Sequence, residues 1–276
     1  MLFKNNKAVI GMIHLIPTIG YEGFVSEENI LKRALEDLAV LEKGGIDGII
    51  IENNYDLPHK IKIDKETLAL IGRIVGEIRK KTKLPLGINI LWNDYESSLS
   101  LAKVYNCEFV RVPVFVDDVL TSFGEIKSEP EKIIRFRKKI NAEDILLLTD
   151  IQVKHAELLD KRPIAESAFE AIKKGADGLI VTGKWTGESP DIEDLKAVRG
   201  VSKNIPVIIG SGADATNIRT LLEFADAVIV STSFKEGKKK SKDEERNRKP
   251  YTARLDLKRI KEFMEKVRLL RSEKSF

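Results

Sequence analysis

Apolar residues along this chain fall into short runs without strict alternation, separated by longer stretches where they recur at helical spacing. The runs are AVIGMI (8–13), DGIIIE (47–52), PLGINIL (85–91), EFVRVPV (108–114), DILLLTD (144–150), DGLIVT (177–182), PVIIG (206–210) and DAVIVS (226–231). Near-continuous apolar runs are the pattern of strands covered on both faces. Helical patterns lie between them, near 27–43, 64–81, 95–106, 130–139, 163–174, 191–202, 214–223 and 256–271. In the first, Ile30, Leu31, Ala34, Leu35, Leu38 and Leu41 form one stripe. Strict alternation predicts a parallel sheet, because parallel neighbours need a crossover connection. Eight such units in 276 residues fit an α/β chain folded as one (β/α)8 TIM barrel over residues 1–276. A doubly wound open sheet is the competing arrangement.

An internal echo supports the barrel. GGIDGIIIEN, KGADGLIVTG and EFADAVIVST each run from a helix end through an Asp into a buried strand. These are helix-to-strand junctions, and in a barrel they lie at the bottom, where turn chemistry and stability set the residue choice. Asp47, Asp177 and Asp226 are therefore expected to be structural. Active sites of barrels form at the opposite end, where the strands finish.

The strand ends are polar. They carry His14; Glu52 and Asn53; Asn89 and Asp94; Arg111; Asp150, Lys154 and His155; Thr182 and Gly183; Gly210, Ser211 and Gly212; and Ser231, Thr232 and Ser233. Glu52, Asp150 and His155 are the predicted acid–base groups, with the two carboxylates facing each other across the mouth. Glu52 is expected to point into the mouth and Asn53, next along the strand, to turn away and support the loop. His14, Asn53, Asn89, Asp94, Arg111, Lys154, Thr182 and Gly183 are the candidate substrate contacts. Gly210–Gly212, leading into a helix expected near Asp214, and Ser231–Ser233 form a candidate phosphate site, since barrels commonly hold phosphate after strands seven and eight. The Gly-rich VTGKWTGESPD (181–191) reads as a loop over the mouth. Lys184 within it is a loop lysine or, alternatively, a Schiff-base lysine. His59, in DLPHKIKID, is expected to be exposed. The three histidines are far apart and no two ligands have motif spacing, so no zinc site is predicted and no metal ligand is assigned, although Glu52 and Asp150 could alternatively hold a divalent cation through oxygen; no cofactor motif is present.

Composition narrows the partners. The 47 basic and 43 acidic residues leave a net charge of +4, which does not suggest nucleic-acid binding. No apolar stretch is long enough to span a membrane, and Cys107, the single cysteine, fits a reducing cytoplasm and a buried hydrophobic role. Heavy Lys and Glu usage suits a thermophile. KEGKKKSKDEERNRKPYTAR (235–254) is a charged loop at about 236–254, before the final helix. It reads as solvated, with a basic lid or peripheral contact with acidic lipids as sharper alternatives. Homo-oligomerisation stays open.

The segments IGMIHL, DGIIIENNYDLP, PLGINILWND, DIQVKHA, DGLIVTGKWTG and IGSGADATN together resemble the BtpA family, over about residues 8–235 and a closing helix. The resemblance implies a β/α barrel of the ribulose-phosphate-binding type. The family takes its name from photosystem I biogenesis at thylakoid membranes. Enzymatic roles, sugar or nucleoside metabolism among them, are ascribed to relatives without photosynthesis. The chain departs from the family pattern at Trp92 (Arg in the family), Pro113 (Asn) and Ser122-Phe123 (Asp-Gln), which implies a different ligand. Over a dozen residues, a strand ending in Glu and followed by Asp-x-Pro is similar to the tryptophan synthase α-subunit, where the glutamate serves acid–base cleavage; this is analogy. Two functions follow as expectations. One is an enzyme, a lyase, isomerase or hydrolase, acting on a small phosphorylated sugar or nucleotide derivative. The alternative is a non-catalytic assembly factor for a membrane complex.

Overall fold

The computed structural model describes residues 3, 5–237 and 250–273. Residues 238–249, the centre of the charged loop expected at 236–254, lie outside the described residues. The strands are β1 (Ala8–His14), β2 (Gly48–Glu52), β3 (Leu86–Asn89), β4 (Phe109–Val112), β5 (Val119–Thr121), β6 (Gly124–Ile126), β7 (Leu146–Ile151), β8 (Ala156–Leu158), β9 (Gly178–Val181), β10 (Val207–Ile209) and β11 (Ala227–Val230). Eight of them close into a parallel barrel in the order β1-β11-β10-β9-β7-β4-β3-β2. These eight correspond to the eight apolar runs, and the open-sheet alternative is excluded.

The helices are α1 (Glu27–Gly44), α2 (Lys65–Lys81), α3 (Tyr95–Val104), α4 (Pro130–Lys139), α5 (Ile164–Lys173), α6 (Ile192–Val201), α7 (Ile218–Phe224) and α8 (Leu257–Glu273). The barrel strands alternate between two apolar environments. Ile13, Ile49 and Ile51 join the large core between sheet and helices. Ile10, Met12, Ile50, Phe109, Leu148 and Ile208 form a separate cluster that fills the barrel. Phe109 fits because Gly87 faces it: a Cβ at Gly87 would lie 2.2 Å from the ring.

The three junction aspartates do one job three times. Asp47 N donates to Val9 O while its Oδ2 accepts from Val9 N. Asp177 does the same with Leu147, and Asp226 with Val207. An arginine completes each: Arg271 on Asp47, Arg137 on Asp177 and Arg199 on Asp226. Each carboxylate thus locks the start of one strand to its neighbour at the barrel bottom, away from the mouth.

Periodicity alone does not show what the structure adds. β5, β6 and β8 form a small antiparallel sheet in the order β6-β5-β8, built from the loops after β4 and β7. Its inner face carries Val119 and Ile126, packed with Trp92, Val114 and Val153. These three-residue strands are too short to leave a readable alternation. Cys107 is buried as expected, and burial pushes its thiol pKa up to about 12.

Candidate functional site

Strand parity builds the site. Residues two apart share a face, so the inward positions that stack Ile10 and Met12 continue to His14, and Ile50 continues to Glu52. Register then sets them side by side: His14 lies opposite Glu52, and Glu52 opposite Asn89. The uppermost inward layer of the barrel is polar where the layers below it are apolar. It floors a cavity of about 470 Å³.

Glu52 is 6% exposed and faces this cavity. Asn89 Nδ2 donates to its Oε2 at 2.5 Å, and His14 Nε2 lies 3.3 Å from Oε1. Oε1 of an ionised carboxylate can only accept, so His14 carries its proton on Nε2 and presents the Nδ1 lone pair on the other side. Among the described residues, Ser231 and Lys235 approach that lone pair. Ser231 Oγ lies 3.4 Å away and Lys235 Nζ 3.3 Å away. Lys235 Nζ also donates to Tyr55 Oη at 3.1 Å. A continuous path therefore runs from carboxylate through imidazole to amine and phenol.

Asp150 is placed differently from the expectation. Both its oxygens accept from Arg111, from Nε at 2.8 Å and Nη2 at 2.7 Å, and its side chain is fully buried. Arg111 lines the cavity and Asp150 lies behind it, so Asp150 does not face Glu52 across the mouth; among the described residues, the other carboxylates on the cavity wall are Asp214 and Glu262. Burial by itself would lower the Arg111 pKa, but the charge and hydrogen bonds of Asp150 hold it above its usual value. Lys154 reaches the cavity with Nζ 3.4 Å from Gly210 O. Burial, helped by Arg111 and opposed by Asp150 and Glu52, lowers its pKa to about 8. His155 also lines the cavity, with Nε2 2.7 Å from Thr186 Oγ1 and its ring against Trp185.

Other predicted residues serve the frame. Asn53 turns away from the mouth: its Nδ2 donates to Asp56, and its Oδ1 accepts from Leu91 N. Asp56 in turn accepts from Thr18 N and Oγ1, tying the loops after β1 and β2 together. Asp94 caps α3, accepting from Ser97 N, and also accepts from Ile63 N. Neither Asn53 nor Asp94 lines the cavity. Thr182 lies beneath Gly210, and its buried Oγ1 has no hydrogen-bond partner among the described residues.

The candidate phosphate wall is present but assembled otherwise than expected. The seventh helix begins at Ile218, not near Asp214, because Asp214 and Asn217 close a turn first: Asp214 Oδ1 accepts from Thr216 N and Asn217 Oδ1 from Asp214 N. Gly183 and Gly212 admit the backbone of Glu188 and Ser189, and a Cβ at Gly212 would lie 2.0 Å from Ser189 N. Ser211 Oγ accepts from Gly183 N and donates to Glu188 O. Ser233 Oγ donates to Ala213 O. These residues clamp three loops together, and Gly212, Thr232 and Ser233 still form one cavity wall. Gly212 has φ +67°, so Gly212→Ala meets both backbone strain and a backbone clash. Thermal unfolding should show a loss of roughly 1–3 kcal/mol; an unchanged melting temperature would mean the 183–189 loop is seated elsewhere.

Tyr55, Lys235 and His59, which position at a strand end does not nominate as ligand contacts, line the cavity together with Trp92 and Phe123. His59 is a correction: it is 8% exposed, not an open loop residue, because Phe123 of the β5–β6 hairpin covers it with ring centroids 5.2 Å apart. Lys184 is exposed, with Nζ 5.7 Å from the Trp185 ring centre, as a loop lysine should be.

Comparison with known proteins bears on this geometry. The BtpA family matches residues 5–268. The photosystem I biogenesis protein BtpA of Synechocystis sp. is 35% identical over 84% of this chain and 82% of its own length. An uncharacterized protein of Pyrococcus abyssi is 37% identical over 85% of this chain and 90% of its own length. Among solved structures, phosphoribosyl anthranilate isomerase from Thermus thermophilus superposes with a TM-score of 0.58 at 12% identity, covering 96% of this chain and 100% of that one. That likeness is one of fold. No helix among the described residues is long and apolar enough to cross a membrane.

Proposed function

We propose that this chain, which belongs to the BtpA family, is a TIM-barrel enzyme acting on a small phosphorylated sugar or nucleotide derivative by acid–base chemistry at its strand ends. One observation carries the reading: Glu52 and His14 are paired at 3.3 Å on one rung of the barrel and open into a cavity of metabolite size. A carboxylate that fixes the tautomer of a neighbouring imidazole makes that imidazole a general base, and then an acid once it is protonated. A purely structural glutamate would not need an open cavity in front of it.

The phosphate belongs, in this reading, against Gly212, Thr232 and Ser233, with Lys154 supplying positive charge from the facing loop. Trp92, Pro113, Ser122 and Phe123, where the sequence departs from the family pattern, all line the same cavity. The apolar and aromatic character of Trp92, Pro113 and Phe123 supports a ligand with a flat or apolar portion, distinct from that of members carrying Arg at position 92. The assembly role printed in the name of the Synechocystis relative is said of that protein, and it asks for an exposed surface rather than a polar enclosed site.

A thermal-shift screen of phosphorylated metabolites, followed by co-crystallisation, tests the proposal. A true ligand at a hundred times its Kd should stabilise the chain by about 2.7 kcal/mol. Its phosphate should lie on the Gly212–Thr232 wall. Anions bound repeatedly elsewhere, with this wall closed off by side chains, would overturn the phosphate assignment.

A further inference from the structure

The acid–base reading leaves Lys235 unexplained. This residue ends the turn after β11 and is 5% exposed. Its position is fixed from both sides. Phe234 packs edge-to-face on Phe263 of α8 at 5.3 Å, and Lys235 pairs Leu255 in an isolated bridge while its carbonyl accepts from Arg259. The side chain is thereby directed into the cavity, over the ring of Tyr55 at 5.2 Å.

A buried ammonium is costly unless a carboxylate pairs with it. Lys235 forms no ion pair among the described residues; its polar contacts there are Tyr55 Oη and His14 Nδ1. Burial is the main cause that brings its pKa down to about 8, opposed by Asp37, aided by Arg33 and opposed again by Glu52. The His14 nitrogen it touches is the lone-pair side, because the other nitrogen is committed to Glu52. An amine beside a base, a phenol and an open cavity is arranged for attack on carbon.

We propose that Lys235 is a nucleophile that condenses with the carbonyl of an aldehyde or ketone substrate to form an imine. This deepens the reading of the cavity as an active site and names the substrate class. Lys235 ammonium passes a proton to His14 Nδ1, and Glu52 stabilises the imidazolium. The amine nitrogen forms a bond to the carbonyl carbon while the C=O π pair moves to oxygen, which takes a proton from the nitrogen to give a carbinolamine. His14 then returns its proton to that hydroxyl, the C–O bond breaks and water leaves. The product is a protonated imine, with the single positive charge of the starting ammonium. Lys154 is the other cavity lysine among the described residues, and there its Nζ meets Gly210 O rather than a base, so it suits an anionic group rather than attack.

The test is reductive trapping on the full chain. The protein is incubated with sodium cyanoborohydride and, separately, pyruvate, glycolaldehyde, dihydroxyacetone phosphate and glyceraldehyde 3-phosphate, and the adducts are mapped by peptide mass spectrometry. At least one carbonyl should label Lys235 about tenfold or more faster than the average surface lysine. Lys235→Met and Lys235→Arg should abolish that adduct, and His14→Asn should slow it in unchanged protein fold as judged by circular dichroism. Labelling spread evenly over surface lysines, labelling chiefly at Lys154, or no trapping by any carbonyl would overturn the proposal. Failure of trapping alongside a phosphorylated ligand whose turnover needs Glu52 would remove the amine and keep the acid–base site. Trapping at Lys235 by unphosphorylated carbonyls alone would keep the amine and remove the phosphate.

Discussion

Asp150→Asn should cost about 3–5 kcal/mol of unfolding free energy at neutral pH, read as a lower midpoint in urea denaturation. The side chains of Arg111 and Asp150 are 6% and 0% exposed and share two hydrogen bonds. Asparagine keeps the volume but leaves a guanidinium charge inside the barrel without its partner. Removing both charges together should recover most of the loss, because the expensive state is the unpaired ion rather than the absent pair. Arg111→Met combined with Asp150→Leu should therefore unfold within about 1–2 kcal/mol of the parent. A variant at Asp150 that keeps its stability while losing turnover would return this carboxylate to the catalytic role the sequence suggested for it.

That pair shows how far the sequence could be read. Eight apolar runs and their spacing specify the barrel, and position at a strand end then nominates the polar rim. Parity sorts that rim, as expected for Glu52 and Asn53, although Asn53 also stands among the candidate substrate contacts. His14, Glu52, Asn89 and Arg111 occupy inward positions and line the cavity, whereas Asn53 falls on the outward parity and holds a loop. Alternation along each strand carries that distinction. Pairing between strands is not carried there: nothing in DILLLTD announces that Asp150 belongs to Arg111 rather than to solvent.

Two other omissions have different physical causes. Tyr55 and His59 follow β2 in a segment whose path depends on contacts with remote residues, such as Thr18 with Asp56 and Phe123 with His59. Local propensity holds no record of those contacts. Lys235 is the first residue of a run dense in lysine, and such runs are ordinarily solvated. Its burial follows from Phe234 before it and from the return of the chain at Leu255, twenty residues later. The signal available in sequence was the apolar Phe234 immediately preceding the charges.

Glu52→Gln should separate structure from chemistry more sharply than any other change. The amide oxygen of glutamine can still accept from Asn89 Nδ2, so its NH2 group must face His14 Nε2. Placed the other way, two donors would meet at Asn89. Stability should therefore stay within about 1 kcal/mol of the parent or rise, since the change removes a largely buried charge and keeps the hydrogen bond from Asn89. The imidazole, however, must accept at Nε2 and carry its proton on Nδ1, which reverses the tautomer. Nδ1 then points a donor at Lys235 and Ser231 and can no longer take a proton from either. Turnover of a phosphorylated substrate should fall by about 10²–10⁴. Reductive trapping at Lys235 should slow in parallel, and nitrogen NMR of labelled histidine should show the protonated ring nitrogen exchanged. Loss of stability with ligand handling, trapping and tautomer all unchanged would make Glu52 a strut between β1 and β3. The polar end of an otherwise apolar strand would then be a turn and nothing more.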